Sequence, residues 1–163
     1  YYSEKPPLFA AIGAALYAPI YYGLGGNLAV KGCQSGTICV YYWLTVLMVG
    51  IPSALMAALF YRLALPQVRS IGWAVGLTLL LCFGTVVWPY SLVFNHHLPA
   101  AIALFVAFYL LFADYQSGYH IFWAGLLAGT AVMLDLTSIF LAFSLFLIVT
   151  LYHQKHILFF IIV

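Results

Sequence analysis

Charge is nearly missing from this sequence: five Lys and Arg and three Asp and Glu serve all 163 residues. With a net charge of only +2 and no run of basic side chains to follow a phosphate backbone, nucleic-acid binding is excluded as a function class. So few charges cannot solvate the surface of a soluble domain when 67% of the residues are hydrophobic. Paired cysteine motifs are also lacking. Cys33, Cys39 and Cys82 show neither CxxC nor Cys/His metal spacing. Cys33 and Cys39 share one loop region and can pair if it faces an oxidising compartment, whereas Cys82 reads as a small core residue. The regular alternation of a transmembrane β-barrel is absent, which leaves helices as the way to satisfy the backbone. No Walker pattern accompanies the glycines of residues 23–36, so they mark a turn-rich loop rather than a phosphate cradle. No cleavable signal peptide is visible at the start.

What is present is apolar length. The mean hydropathy is +1.13, and apolar segments fall at residues 8–22, 38–65, 70–88, 98–113, 120–134, 136–152 and from 157 onward. The fold class expected is all-α, a polytopic transmembrane helix bundle of about five to seven membrane helices. Residues 38–65 would measure about 42 Å as one helix, so that segment must tilt or kink near Pro52. Residues 121–152 would measure about 48 Å, and we read them as two short spans meeting at Asp135. The first segment is short, contains Pro19, and either spans or lies in the interface. Arg62, Arg69 and Lys155 fall on one side of this topology and Lys5 and Lys31 on the other, which points the first group to the cytoplasm. On that reading the helix over 70–88 delivers Trp88, Pro89 and Tyr90 to the external face. The chain opens at Tyr1 and stops at Val163 inside an apolar run, and so reads as part of a longer protein, truncated at both ends.

Against this background three polar features stand out. Asn95-His96-His97 sits between two apolar stretches, where such groups need either water or a ligand. The histidines read as metal ligands, phosphate partners, a proton relay or ordinary interfacial polarity. Adjacent residues of a helix point about 100° apart, so both imidazoles can hold one ion only across a non-helical turn, which Pro99 permits. Asp135 stands alone in the longest apolar stretch, where an ionised carboxylate at mid-membrane costs at least about 2.5 kcal/mol. It reads as an N-cap for the segment starting at Leu136-Thr137-Ser138, as part of an aqueous site, or as both. Glu4-Lys5-Pro6-Pro7 forms a stiff start to the first helix. The tyrosines and tryptophans, among them Tyr41, Tyr42, Trp43, Trp88 and Tyr90, read as an interfacial belt.

Three separated pieces resemble the multispanning GT-C glycosyltransferases, in the bacterial branch related to lipid A aminoarabinose transferases and protein O-mannosyltransferases. These are Tyr2-Ser3-Glu4-Lys5-Pro6-Pro7-Leu8; Cys82-Phe83-Gly84-Thr85 with Trp88-Pro89-Tyr90-Ser91 and Asn95-His96-His97-Leu98-Pro99-Ala100-Ala101; and Ala124-Gly125-Leu126-Leu127-Ala128-Gly129 with Asp135 beyond. The resemblance implies residues 1–163 of one GT-C-like transmembrane domain in the bacterial cytoplasmic membrane. It implies an enzyme that moves a sugar from a polyprenyl-phosphate donor to a lipid, protein or glycan acceptor on the extracytoplasmic face. It further implies that Lys5 contacts the lipid phosphate, that Asn95, His96, His97 and Asp135 line the substrate pocket, and that a divalent metal ion, with His96 and His97 as candidate ligands, is a candidate cofactor. The first helix would be interfacial and external. The family's catalytic acid precedes the Lys-Pro-Pro element. Glu4 does not match that position, so the acid is expected upstream of Tyr1.

The alternative from another class is a non-catalytic accessory transmembrane subunit that packs among other membrane subunits. A transporter using Asp135 and the histidines as a relay is a third reading, but no detectable repeat or pair of broken helices accompanies it.

Overall fold

The computed structural model describes residues 7–23, 36–112, 118–152 and 160. The chain is all-α, with no strand among the described residues. Its helices are α1 (Pro7–Gly23), α2 (Gly36–Thr45), α3 (Ile51–Val68), α4 (Ile71–Phe83), the short α5 (Val87–Ser91), α6 (His97–Phe112), α7 (Gly118–Leu134) and α8 (Ile139–Tyr152). Lys5 and Glu4, Cys33, Lys31, Asp114 and Lys155 lie outside the described residues.

From Cys39 to Val68 the chain is one uninterrupted 30-residue helical run whose most apolar 18-residue stretch has mean hydropathy 2.0, long and apolar enough to cross a membrane. Beside Pro52, where the sequence predicts a tilt or a kink, the helix holds a π-turn over Val46–Gly50, in which the Ile51 amide donates to the Val46 carbonyl five residues back. Proline explains its place. Pro52 has no N–H for the carbonyl four residues earlier, and its ring crowds that carbonyl, so the preceding turn widens. The buried Ser53 hydroxyl donates to the Val49 carbonyl at 2.6 Å and satisfies part of the disturbed backbone. The same helix runs on through Pro66, past the end of the apolar segment at residue 65, and ends only at Arg69. That residue adopts a left-handed conformation (φ 49°), and its amide donates to the Leu65 carbonyl at 3.0 Å.

The helix expected over 70–88 is broken, which corrects that boundary. Helix α4 stops at Phe83, and α5 starts at Val87. Gly84 allows the break, because a Cβ there would lie 2.6 Å from the Leu80 side chain and 2.7 Å from the Leu80 carbonyl oxygen. Thr85 then donates its hydroxyl to the Leu81 carbonyl at 2.6 Å and accepts the Val87 amide at 3.2 Å, closing one helix and opening the next.

The main core is the α6–α7 hairpin with α8 laid against it. Ala100, Ala103 and Ala107 are buried with Ala124, Ala128 and Ala131, and recurrence every three or four residues puts each set on one face. Small side chains let the two helices approach closely, a mode of packing that works without a hydrophobic drive. A second cluster joins Met48, Val49 and Met56 to Leu98 and Ile102, fixing residues 46–50 and α3 to the start of α6. Hydroxyls within helices return to their own backbone: Thr78 to Ala74, Thr130 to Leu126, Ser144 to Phe140 and Thr150 to Phe146. Large apolar side chains cover much of the outside, with Trp73 71% and Phe140 77% exposed.

Candidate functional site

The site is built where α6 begins and α7 ends. Residues 94–96 precede the first helical turn, and Asn95 folds that approach onto itself. Its amide nitrogen donates to the Tyr90 and Val93 carbonyls, each at 2.7 Å, and its carbonyl oxygen accepts the Leu98 amide at 3.0 Å. Asn95 is therefore an N-terminal cap with its amide occupied locally, which leaves it the task of positioning the backbone that carries the two histidines. Pro99 lies in the first turn of α6, where a missing N–H costs nothing, and the Ala100 amide donates to the His96 carbonyl at 3.2 Å.

His96 thus sits just outside the helix and His97 is its first residue. The 100° divergence of neighbouring helical side chains does not apply across that boundary, and the two imidazole rings stack with centroids 4.0 Å apart. The non-helical turn needed for two adjacent histidines to work together is present.

Helix α7 reaches the same place from the other direction. After Leu134 the chain extends at Asp135 (φ −148°, ψ 112°), then makes a 3-10 turn, Leu136–Ser138, that leads into α8. One carboxylate oxygen of Asp135 accepts the Thr137 amide at 3.1 Å and the Thr137 hydroxyl at 2.8 Å. The other oxygen meets His97 Nδ1 at 2.6 Å. Cap and site are the same residue. Because the start of α6 meets the end of α7 here, the two helices run antiparallel.

The Asp135 side chain is 11% exposed and that of His97 52%, so the pair joins a largely covered carboxylate to a half-exposed imidazole. Burial pushes the Asp135 carboxyl up, but the hydrogen bonds from His97 and Thr137, with the His97 charge, outweigh it and hold the carboxyl below the usual aspartate range. An ionised carboxylate so placed orients its imidazole partner.

Aromatic rings wall the cluster. Phe9 of α1 packs on Phe94 at 4.6 Å and on His96 at 6.3 Å, while Tyr90 meets His97 edge-on at 6.3 Å. Behind Phe94 opens an apolar cavity of about 390 Å³ between α1 and α2, lined by Ala10, Gly13, Tyr17, Tyr41, Leu44 and Phe94. A second of about 650 Å³ lies between α2, α3, α4 and α5, lined in part by Tyr42, Ser53, Cys82 and Trp88. Cys39, the first residue of the 30-residue run, is disulfide-bonded, and Cys82 is a free thiol. The expected partner of Cys39, Cys33, lies outside the described residues, as does Lys5.

Of the residues singled out in the sequence, His96, His97 and Asp135 come together, Asn95 positions them, and nothing can be added for Lys5. Sequence reasoning missed Thr137, whose two bonds fix the carboxylate. Its signal was legible as the Asp-x-Thr spacing of a capping turn. Compared with protein-family models, with curated proteins and with solved structures, the chain matches none.

Proposed function

We propose that this chain is part of a polytopic membrane enzyme that transfers a sugar from a polyprenyl-phosphate donor, with His96, His97 and Asp135 lining the donor pocket on the extracytoplasmic face. The observation that carries the reading is the 2.6 Å contact of His97 with Asp135, residues from different helices that share one end of the bundle. A polar cluster held at the end of an apolar bundle, with an apolar cavity of about 390 Å³ behind its aromatic wall, suits a substrate with an anionic head and a hydrocarbon tail.

The membrane reading has independent support. Exposed Leu, Ile, Phe and Trp of α3, α4 and α8 would be a liability in water and are ordinary in lipid. Exposed aromatics gather at two levels: Tyr41, Tyr42, Trp43, Trp88 and Tyr90 near the cluster, and Trp73, Tyr119 and Tyr152 at helix ends remote from it. Helices α4, α6, α7 and α8 are shorter than an upright span of about 20 residues, which a locally thin bilayer or polar helix ends accommodate. Orientation follows from two markers on one helix. Cys39, disulfide-bonded, begins the 30-residue run and belongs in an oxidising compartment. Arg62 and Arg69, at the far end of that run, belong in the cytoplasm. Tyr41 packs edge-on against Phe94 at 6.2 Å, so the cluster shares the end marked by Cys39.

The test is sugar transfer in membranes containing the full-length protein and a polyprenyl-phosphate sugar. His97→Ala and Asp135→Asn should each reduce transfer by about tenfold or more while the protein stays folded. Undiminished transfer by both variants, or no dependence of transfer on this protein at all, would remove the reading. The latter result would favour the accessory-subunit alternative, for which the aromatic-rich, charge-poor surface is equally suited.

A further inference from the structure

We infer that His96, His97 and Asp135 form a binding site for one divalent transition-metal ion of the zinc class. The three residues each offer a donor atom, and these atoms all lie within 4.8 Å of one another. Among the described residues this is the one group of three or more His, Cys, Asp or Glu side chains so disposed.

Geometry and chemistry fit an ion without rebuilding the backbone. Imidazole nitrogens and carboxylate oxygens sit about 2.0–2.2 Å from zinc, so two donors on one ion can be at most about 4.2 Å apart. The present spread of 4.8 Å closes to that by small side-chain rotations on a fixed backbone. The His97–Asp135 contact of 2.6 Å is the opposite case, a pair too close for two ligands and held by a proton. An ion that takes the place of this proton pushes the two donors slightly apart as it draws His96 in. Metal binding at imidazole and carboxylate generally proceeds by such proton release.

The supporting shell is also present. The Asp135 oxygen that faces away from His97 is held by the Thr137 amide and hydroxyl, so the carboxylate is oriented before any ion arrives. Asn95 fixes the backbone that carries both histidines. Two nitrogens and one carboxylate oxygen disfavour calcium and magnesium, which prefer all-oxygen sites, and suit zinc and its first-row neighbours. Three protein ligands leave a fourth position, and the half-exposed His97 sets it toward solvent. An anionic oxygen or a water would complete the ion there.

The inference goes beyond the proposed transferase activity, and its readout is metal binding alone. The full-length protein, purified in detergent and stripped of metal, is titrated with Zn²⁺ by calorimetry and with Co²⁺ by visible absorption. The expected result is one ion per chain, with cobalt giving the d–d bands of a low-coordinate nitrogen and oxygen site. His96→Gln, His97→Gln and Asp135→Asn should each weaken zinc binding by at least about a hundredfold. Elution as a single folded species on size exclusion separates this loss from misfolding. His120→Gln, on the distant first turn of α7, should bind as the parent does. No stoichiometric ion in the parent, retention of parental affinity by the three variants, or loss of the ion on His120→Gln alone would overturn the assignment.

Discussion

Replacing Asp135 separates its two tasks and gives each a magnitude. Asp135→Ala removes the oxygen that accepts both Thr137 donors and the oxygen that meets His97. Asp135→Asn keeps an acceptor toward Thr137 and puts a neutral amide group opposite His97. Losing an N-cap costs about 1 kcal/mol. A charge-assisted hydrogen bond is worth about 1.5–3 kcal/mol, but water recovers much of the contact when one partner is half exposed, so about 1 kcal/mol is the fitting value for His97. The expected loss is therefore about 2 kcal/mol for Asp135→Ala and about 1 kcal/mol for Asp135→Asn. A double-mutant cycle of Asp135→Asn with His97→Ala should give a coupling of about 1 kcal/mol. The assay is reversible unfolding in mixed micelles of rising denaturing-detergent fraction, with the protein kept free of metal. Equal losses for the alanine and asparagine variants, or a coupling indistinguishable from zero, would refute the division of labour.

Other consequences are testable with single substitutions or conditions. A Cβ on Gly125 would lie 2.7 Å from the Phe160 carbonyl oxygen, so Gly125→Ala should destabilise the protein by about 1–3 kcal/mol, whereas Gly129→Ala meets nothing within 4 Å and should be neutral or slightly stabilising in the same unfolding assay. Because the folded Asp135 carboxyl titrates below its unfolded value of about 3.9, its stabilisation is complete above that pH and lost as pH falls through the folded value. The stability gap between parent and Asp135→Asn should thus hold steady from neutral pH down to about pH 5 and shrink below about pH 4; a gap unchanged at pH 2 would contradict this. Alkylation of the unfolded, unreduced protein followed by peptide mass analysis should modify Cys82 and spare Cys39.

Much of the fold was legible because apolar length and turn chemistry agree along the chain. The first helix and the pair of helices meeting at Asp135 correspond to sequence signals, and Pro52 marked where the long helix departs from regular geometry. The π-turn that this departure takes was not legible, since a missing N–H can be absorbed by a kink, a π-turn or a break with the same residues. The interruption at Gly84 was missed because the apolar run continues across it, and hydropathy does not register the close approach of Leu80. The site was legible in its members more than in its assembly. His97 and Asp135 are 38 residues apart, and only the antiparallel packing of alanine faces on α6 and α7 brings them to 2.6 Å. Asn95 read as a pocket-lining residue because composition cannot tell an amide spent on backbone carbonyls from one aimed at a substrate.

The central claim is that the His96, His97 and Asp135 cluster lies on the membrane face opposite Arg62 and Arg69. Cysteine labelling tests it directly. In a Cys82→Ser background with Cys39 left in its disulfide, single cysteines are placed at the exposed Val93, beside the cluster, and at the exposed Arg69. A membrane-impermeant maleimide added outside intact cells should label Val93→Cys at once and Arg69→Cys only after permeabilisation. Labelling of both positions from the same side would contradict the account.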